Sequence, residues 1–272
     1  MAERRLPSTS RVWLLVSMVA PSAAAAQMCQ VPDGVRAQLT TEAPEQGPYE
    51  PLGHGSTPLE GIELGVGHVY HPPDEQATNL PPGADNWLQR VELPISEAVD
   101  TAPWGGIVSG WVVRIGGASE PLTRRGLLET GYEELSFVVL ERANAWLRIR
   151  YAPDGDGAAW IPACALERSP ARLAFAAWSD WFLNGELSPL YPRAVQALEV
   201  YSGPSSQSNR LAVATRDDVL EPLEIRGEWM RTTLVRPSDY CRLDAASSRV
   251  EGWVRWSAEP LGPTLWYFTR GC

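Results

Sequence analysis

Trp146-Leu147-Arg148-Ile149-Arg150-Tyr151 is the stretch on which the fold class turns. Leu147, Ile149 and Tyr151 share one face of it, and Arg148 and Arg150 share the other with Trp146. A period of two marks a strand with one buried and one wet side. Pro153-Asp154-Gly155-Asp156-Gly157 follows, rich in residues that tolerate positive φ, and predicts a hairpin turn. Ala158–Pro162 then returns as the partner strand. The pattern recurs on either side. Asn144-Ala145-Trp146 leading to Ala159-Trp160-Ile161-Pro162 is the middle of three segments, each with a polar turn, a Trp-led strand, a connection and a second Trp-led strand. In the first, Asp85-Asn86-Trp87-Leu88 leads to Gly110-Trp111-Val112-Val113. In the third, Gly227-Glu228-Trp229-Met230-Arg231-Thr232 leads to Gly252-Trp253-Val254-Arg255. The Trp-to-Trp separations are 24, 14 and 24 residues. A long capped amphipathic helix is absent from the pattern, and Leu173–Leu183 is the best helical candidate. Short strands punctuated by turns predict an all-β protein of small barrels or sandwiches.

The third segment carries a family resemblance. Leu198-Glu199-Val200-Tyr201-Ser202-Gly203-Pro204-Ser205 resembles the opening strand and x-V-R-x-G-P-S turn of the bacterial SH3-like domains (SH3b, Src-homology-3-type), with Tyr201 where Arg is usual. The strand to Ile225, the Gly227-Glu228-Trp229 turn and the closing Glu251-Gly252-Trp253-Val254 follow in family order. Arg236–Arg249, containing Cys241, departs from that order as an insert. The resemblance covers residues 191–258, and residues 118–168 through the Trp146 and Trp160 strands. It implies tandem small SH3-like β-barrels, two of them with a third, divergent one. The expected organisation is a signal peptide (1–26), a divergent β module (27–117), an SH3-like module (118–168), a linker (169–190), an SH3-like module (191–262) and a C-terminal tail (263–272). In each barrel the buried phase would be Leu147, Ile149 and Tyr151, or Met230, Thr232 and Leu234.

Composition narrows the function classes. The 272 residues are 44% hydrophobic, enough for a packed core. All 23 basic residues are Arg, so a P-loop lysine, a pyridoxal-phosphate Schiff base and a lysine nucleophile are excluded. A net charge of −10 disfavours nonspecific binding to nucleic acid or anionic membrane. No segment beyond the leader offers the roughly 18 apolar residues that a membrane-spanning helix needs.

The leader reads as a secretory signal peptide. Arg4, Arg5 and Arg11 precede the apolar run Val12–Ala20, and a small-residue site at Ala24–Ala26 follows. Export to the periplasm or the extracellular space is expected, with Gln27 near the mature start. Cysteine usage agrees. Cys29, Cys164, Cys241 and Cys272 are an even set with no C-x-x-C spacing, and three connectivities are open. The pairing expected is Cys241 with Cys272, which ends the tail leaving the same module, and by elimination Cys29 with Cys164. A Cys241–Cys272 bridge would close a 32-residue loop, worth on the order of 3–4 kcal/mol in the chain-entropy account.

Chemistry-bearing residues are few. Trp146 with Arg148, and Trp229 with Arg231, share strand faces that could form aromatic shelves flanked by cations. With Tyr201 these are the candidate ligand-binding residues, and the resemblance implies a ligand groove in this kind of place. Most other Trp residues are expected to seal barrel edges or module interfaces. His68-Val69-Tyr70-His71-Pro72-Pro73-Asp74 invites a metal reading, yet i and i+3 on a strand point to opposite faces. No metal or cofactor is expected. A cysteine hydrolase is disfavoured because His54, His68 and His71 all precede Cys164, Cys241 and Cys272. The expected function is non-enzymatic: binding or scaffolding in the bacterial cell envelope, with cell-wall polymer, peptide or an envelope protein as partner. The alternatives are an envelope hydrolase with a carboxylate site between modules and a purely structural subunit.

Overall fold

Strand β7 (Glu134–Ala143) lies at the centre of the protein, because both of its faces are buried. The computed structural model describes residues 27–39, 51–52, 59–72, 87–131, 134–152, 157–184, 190–193, 197–236 and 248–267. These residues contain 19 strands and three α-helices of four to seven residues, so the chain is mostly β. Leu135, Phe137 and Val139 of β7 point into one core, and Val138 and Leu140 point into a second. Burial on both sides is why Leu135–Leu140 reads as a nearly continuous apolar run instead of an alternating one.

The first core lies in the N-terminal half. Strand β1 (Gly67–Tyr70) pairs antiparallel with β7 and with β10 (Ala174–Ala177). On the same sheet β7 pairs with β6 (Leu128–Gly131) and β8 (Trp146–Arg150), and β8 pairs with β9 (Ala158–Pro162). A four-stranded meander of β2 (Glu92–Ile95), β3 (Gly105–Val108), β4 (Trp111–Arg114) and β5 (Ser119–Pro121) forms a further sheet. The β3–β4 turn places Ser109 and Gly110 both at positive φ, as a tight two-residue hairpin turn requires. Ser96 and Trp160 exchange both backbone hydrogen bonds, at 2.8 and 3.0 Å, and stitch the meander to β9. Leu93, Ile95, Ile107 and Val112 then pack with Phe137, Leu147, Ile149 and Ile161.

The expected boundaries between the first module, the second module and the linker do not coincide with this pairing. Strand β1 comes from 27–117, β7 to β9 from 118–168, and β10 from 169–190, yet all five lie in one sheet. The physical reason is edge satisfaction: strands 118–168 alone would leave β7 an unpaired edge, which β1 covers. Cys29 and Cys164 lie at disulfide distance, with Cα atoms 5.6 Å apart. That pair ties the segment carrying helix α1 (Asp33–Arg36) to helix α2 (Cys164–Arg168). Cys241 and Cys272 lie outside the described residues, as do the leader and the Pro153–Asp156 turn.

The C-terminal half is a five-stranded antiparallel sheet. Its order is β13 (Arg210–Ala214), β12 (Leu198–Tyr201), β16 (Ser248–Arg255), β15 (Trp229–Arg236) and β14 (Val219–Arg226). Val200, Ala214, Leu220, Met230, Leu234 and Val254 face inward. Thr232 is buried as well and donates its hydroxyl to the Glu221 carbonyl at 2.8 Å. The expected buried phase, Met230, Thr232 and Leu234, is the observed one.

The second core joins the halves. Helix α3 (Trp178–Asn184) inserts Trp178 and Phe182 between them. The chain after β16 contributes Trp256, then Leu265, Trp266 and Tyr267. Strand β17 (Ser257–Ala258) pairs with β18 (Gly262–Pro263), and β19 (Leu265–Trp266) pairs with β11 (Tyr191–Pro192). The segment expected as linker, 169–190, therefore supplies a sheet strand and the aromatic filling of the core. Among the described residues no helix is long and apolar enough to cross a membrane.

Candidate functional site

Antiparallel register assembles one row of side chains across the whole C-terminal sheet. Glu224 lies opposite Arg231, Arg231 opposite Trp253, Trp253 opposite Tyr201, and Tyr201 opposite Arg210. Directly opposed residues share a face. This row is on the outer face, because the inner phase belongs to Met230, Leu234 and Val254. One step along, Arg226, Trp229 and Arg255 form a second row on the same face.

The aromatic centre of the face is Tyr201 with Trp229. Their rings meet edge to face at 5.7 Å, and both are half-exposed. Trp253 lies deeper, 7% exposed, with the Arg226 guanidinium 5.2 Å from its ring centroid. That is cation–π range. The Gly252 position admits no Cβ, since one would meet Val200 Cγ1 at 2.5 Å and the Tyr201 carbonyl oxygen at 2.8 Å. The glycine is what lets β12 and β16 approach closely enough to set Tyr201 beside Trp253.

Charges on this face come in pairs. Arg210 Nη1 donates to Glu199 Oε1 at 2.8 Å, and the Tyr201 hydroxyl donates to Glu199 Oε2. The Tyr201 hydrogen bond, then Arg210, holds the Glu199 carboxyl below its ordinary range. The same bond raises the Tyr201 phenol. Arg231 Nη1 donates to Glu251 Oε1 at 3.0 Å, and its Nε lies 3.3 Å from Glu224 Oε2. Arg226 bonds Glu224, Arg249 bonds Glu221 and Arg255 bonds Glu228. The result is a polar, charge-balanced surface with an aromatic centre.

The two candidate shelves differ in the structure. Tyr201, Trp229 and Arg231 come together on the face just described. Trp146 is 5% exposed, and its indole N–H donates to Asp100 Oδ1 at 3.1 Å. Asp100, on the loop after β2, holds a left-handed backbone with φ of 57°. It covers a ring that strand phase alone assigns to the wet side. Arg148 remains accessible and pairs with Glu141 at 2.7 Å. The residues missed in sequence are Trp253, Arg226, Glu199, Glu224 and Glu251. Cross-strand register is the signal that places them, and it needs the pairing of β12 with β16 across the Ser202–Asn209 connection and three further strands.

His68 and His71 do not converge, and His54 lies outside the described residues. His68 is fully buried between Trp178 and Trp181, with ring centroids at 4.5 Å from each, and burial lowers its pKa to about 3. His71 lies on the other side, stacked against Trp87 and within 3.4 Å of Arg90 Nη2. Asp74 lies outside the described residues. Among the described residues, no three His, Cys, Asp or Glu side chains gather in metal-holding geometry. No protein-family model and no curated protein matches the chain.

Proposed function

We propose that this is an exported, non-enzymatic binding or scaffolding protein of the bacterial cell envelope, and that residues 191–262 are an SH3-like module whose outer face takes cell-wall polymer or peptide. The observation that carries the reading is the half-exposed Tyr201–Trp229 pair at 5.7 Å, supported from below by Trp253. Aromatic rings stack on sugar rings and on peptide groups through their faces. The paired charges add a preference. Each Arg of the face already bonds a Glu, so a neutral sugar or a peptide backbone can stack without breaking an ion pair. A strongly anionic polymer would have to displace Glu199, Glu224 or Glu251 first. The Gly203-Pro204-Ser205 turn and the closing Gly252-Trp253-Val254 motif are the residues on which the SH3-like assignment rests.

A pull-down on purified cell-wall material tests this with wild type, Trp229→Ala, Tyr201→Ala and, as control, Arg148→Ala. Truncating a central aromatic costs about 2 kcal/mol or more at an interface, so binding should fall roughly thirtyfold or further in the first two variants. Arg148→Ala should bind as wild type. Equal retention of all four proteins would remove the outer face from consideration. Sugar or peptide released from the wall during incubation would instead favour a hydrolase.

A further inference from the structure

Cys29 and Cys164, the pair at disulfide distance, meet solvent unequally. Cys29 is 7% exposed, whereas Cys164, the first residue of α2, is exposed. The bond between them has one open end and one sheltered end. Disulfides with exposed sulfur are the ones that exchange with external thiols, and the thiol that leaves does so faster the better its thiolate is stabilised.

The sheltered end borders a cleft of about 380 Å³ lined by Cys29, Gln30, Val31, Arg36, Glu92 and Arg168. Arg36 Nη2 donates to Glu92 Oε2 at 2.6 Å. One carboxylate thus stands against two guanidinium groups, and the lining carries a net positive charge. Arginine neighbours favour the thiolate form of a cysteine. Opening the bond does not by itself free the segment that carries Cys29. Val31 and Val35 pack with Val108 and Val113 in a small core of their own. A Cβ at Gly106 would come within 3.1 Å of Val31 and 3.2 Å of Val35, so α1 and the residues before it lie directly on β3. These contacts hold Cys29 near Cys164 with the bond open, so that it can close again.

We propose that Cys29–Cys164 is a thiol–disulfide exchange site, at which an external dithiol attacks Cys164 and Cys29 leaves. One thiolate of the dithiol bonds to Cys164 Sγ. The S–S bond breaks, and its electron pair passes to Cys29 Sγ. The products are a mixed disulfide on Cys164 and a Cys29 thiolate beside the Arg36–Arg168 cleft. The second thiolate of the reductant then attacks its own sulfur in the mixed disulfide and releases Cys164. Both protein thiolates take up the protons that the dithiol gave up. The protein pair has gained two electrons and two protons, and the dithiol has become a disulfide. This site is separate from the Tyr201–Trp229 face and does not depend on it.

Reduction of the oxidised full chain by dithiothreitol in native buffer tests this, with N-ethylmaleimide as quench and peptide mapping to read each cysteine. Expected is opening of Cys29–Cys164 at a rate proportional to dithiothreitol and unchanged by dilute urea, because an exposed sulfur needs no unfolding to react. Glutathione, a monothiol that cannot carry out the second step, should be recovered on Cys164 in roughly tenfold or greater excess over Cys29. Arg36→Gln or Arg168→Gln should slow opening roughly threefold to tenfold, and Arg36→Lys should restore the rate. The first two readouts need no variant. Opening that waits for urea overturns the proposal, as does glutathione recovered chiefly on Cys29. A rate that neither glutamine variant changes also overturns it, since Cys29 would then leave without help from the cleft.

Discussion

His68 shows how one residue's surroundings become a pH dependence. Its ring is held between Trp178 and Trp181, and neither nitrogen has a hydrogen-bond partner among the described residues. Protonating it would place a cation among aromatic rings with no described group to accept either N–H. Burial therefore lowers its pKa from 6.5 to about 3. The unfolded chain binds a proton below about pH 6.5, and the folded chain resists it. Stability is thus fully present above pH 6.5 and is lost as pH falls towards 3. At about 1.4 kcal/mol per pH unit the whole loss is roughly 4–5 kcal/mol. His68→Phe keeps an aromatic ring in the stack and removes the proton. Urea unfolding at pH 7, 5.5 and 4 should show wild type losing stability relative to His68→Phe at each step down. A constant difference across that range would mean that His68 reaches solvent. Such a residue is only half legible in sequence: strand alternation separates it from His71, but Trp178 and Trp181 lie more than a hundred positions away.

Among elements, legibility follows how local the determining contact is. The phase of β15 is readable because alternation within eight residues fixes which side is buried. In β8 Leu147 and Ile149 are buried as alternation places them, but Trp146 and Arg150 of the side expected to be wet are buried as well. The partner of β1 is not readable, since β7 lies some 65 residues downstream and many strands could have covered that edge. Helix α3 shows what is local and what is not. Leu173–Leu183 is the best helical candidate in the sequence, and Trp178–Asn184 is helical, with Ala174–Ala177 a strand before it. That Trp178 and Phe182 fill a core between two sheets is set by distant residues, and the position of the segment between repeats suggests a connector. Phe182 makes edge-to-face contacts with Trp256 at 5.9 Å and Trp266 at 6.0 Å and stacks on Trp178 at 6.1 Å. Phe182→Ala should cost about 3–5 kcal/mol, the range for a fully buried Phe. A connector would lose almost nothing. Denaturant midpoints of the variant and wild type, compared at equal m-value, decide between them.

At the scale of the whole molecule, two features oppose independent modules. The first is Cys29–Cys164, separated by 135 residues in sequence. In the chain-entropy account, removing it by Cys164→Ser should cost on the order of 5 kcal/mol in oxidising buffer and nothing in buffer that already reduces wild type. Equal stability of the two proteins under oxidising conditions would show the pair to be reduced in solution. The second feature is the shared core. Leu128, Val138 and Leu140 come from the N-terminal sheet, Val200, Leu220 and Met230 from the C-terminal sheet, and Trp178 and Phe182 from between them. Tyr267 adds a polar tie: Trp181 Nε1 donates to its hydroxyl at 3.0 Å, and that hydroxyl donates to the Thr130 carbonyl at 2.9 Å. Unfolding either half alone would strip one wall from this core and expose the other to water. Its free energy therefore includes part of its neighbour's, which is the condition for a single cooperative transition. Two true tandem modules would each keep a private core and melt at their own midpoints. The full chain should accordingly unfold in one step, with far-UV dichroism and Trp fluorescence giving coincident denaturation curves. Phe182→Ala should move both curves together. Two separated transitions, or a variant that shifts one probe and leaves the other in place, would mean that the second core does not couple the sheets.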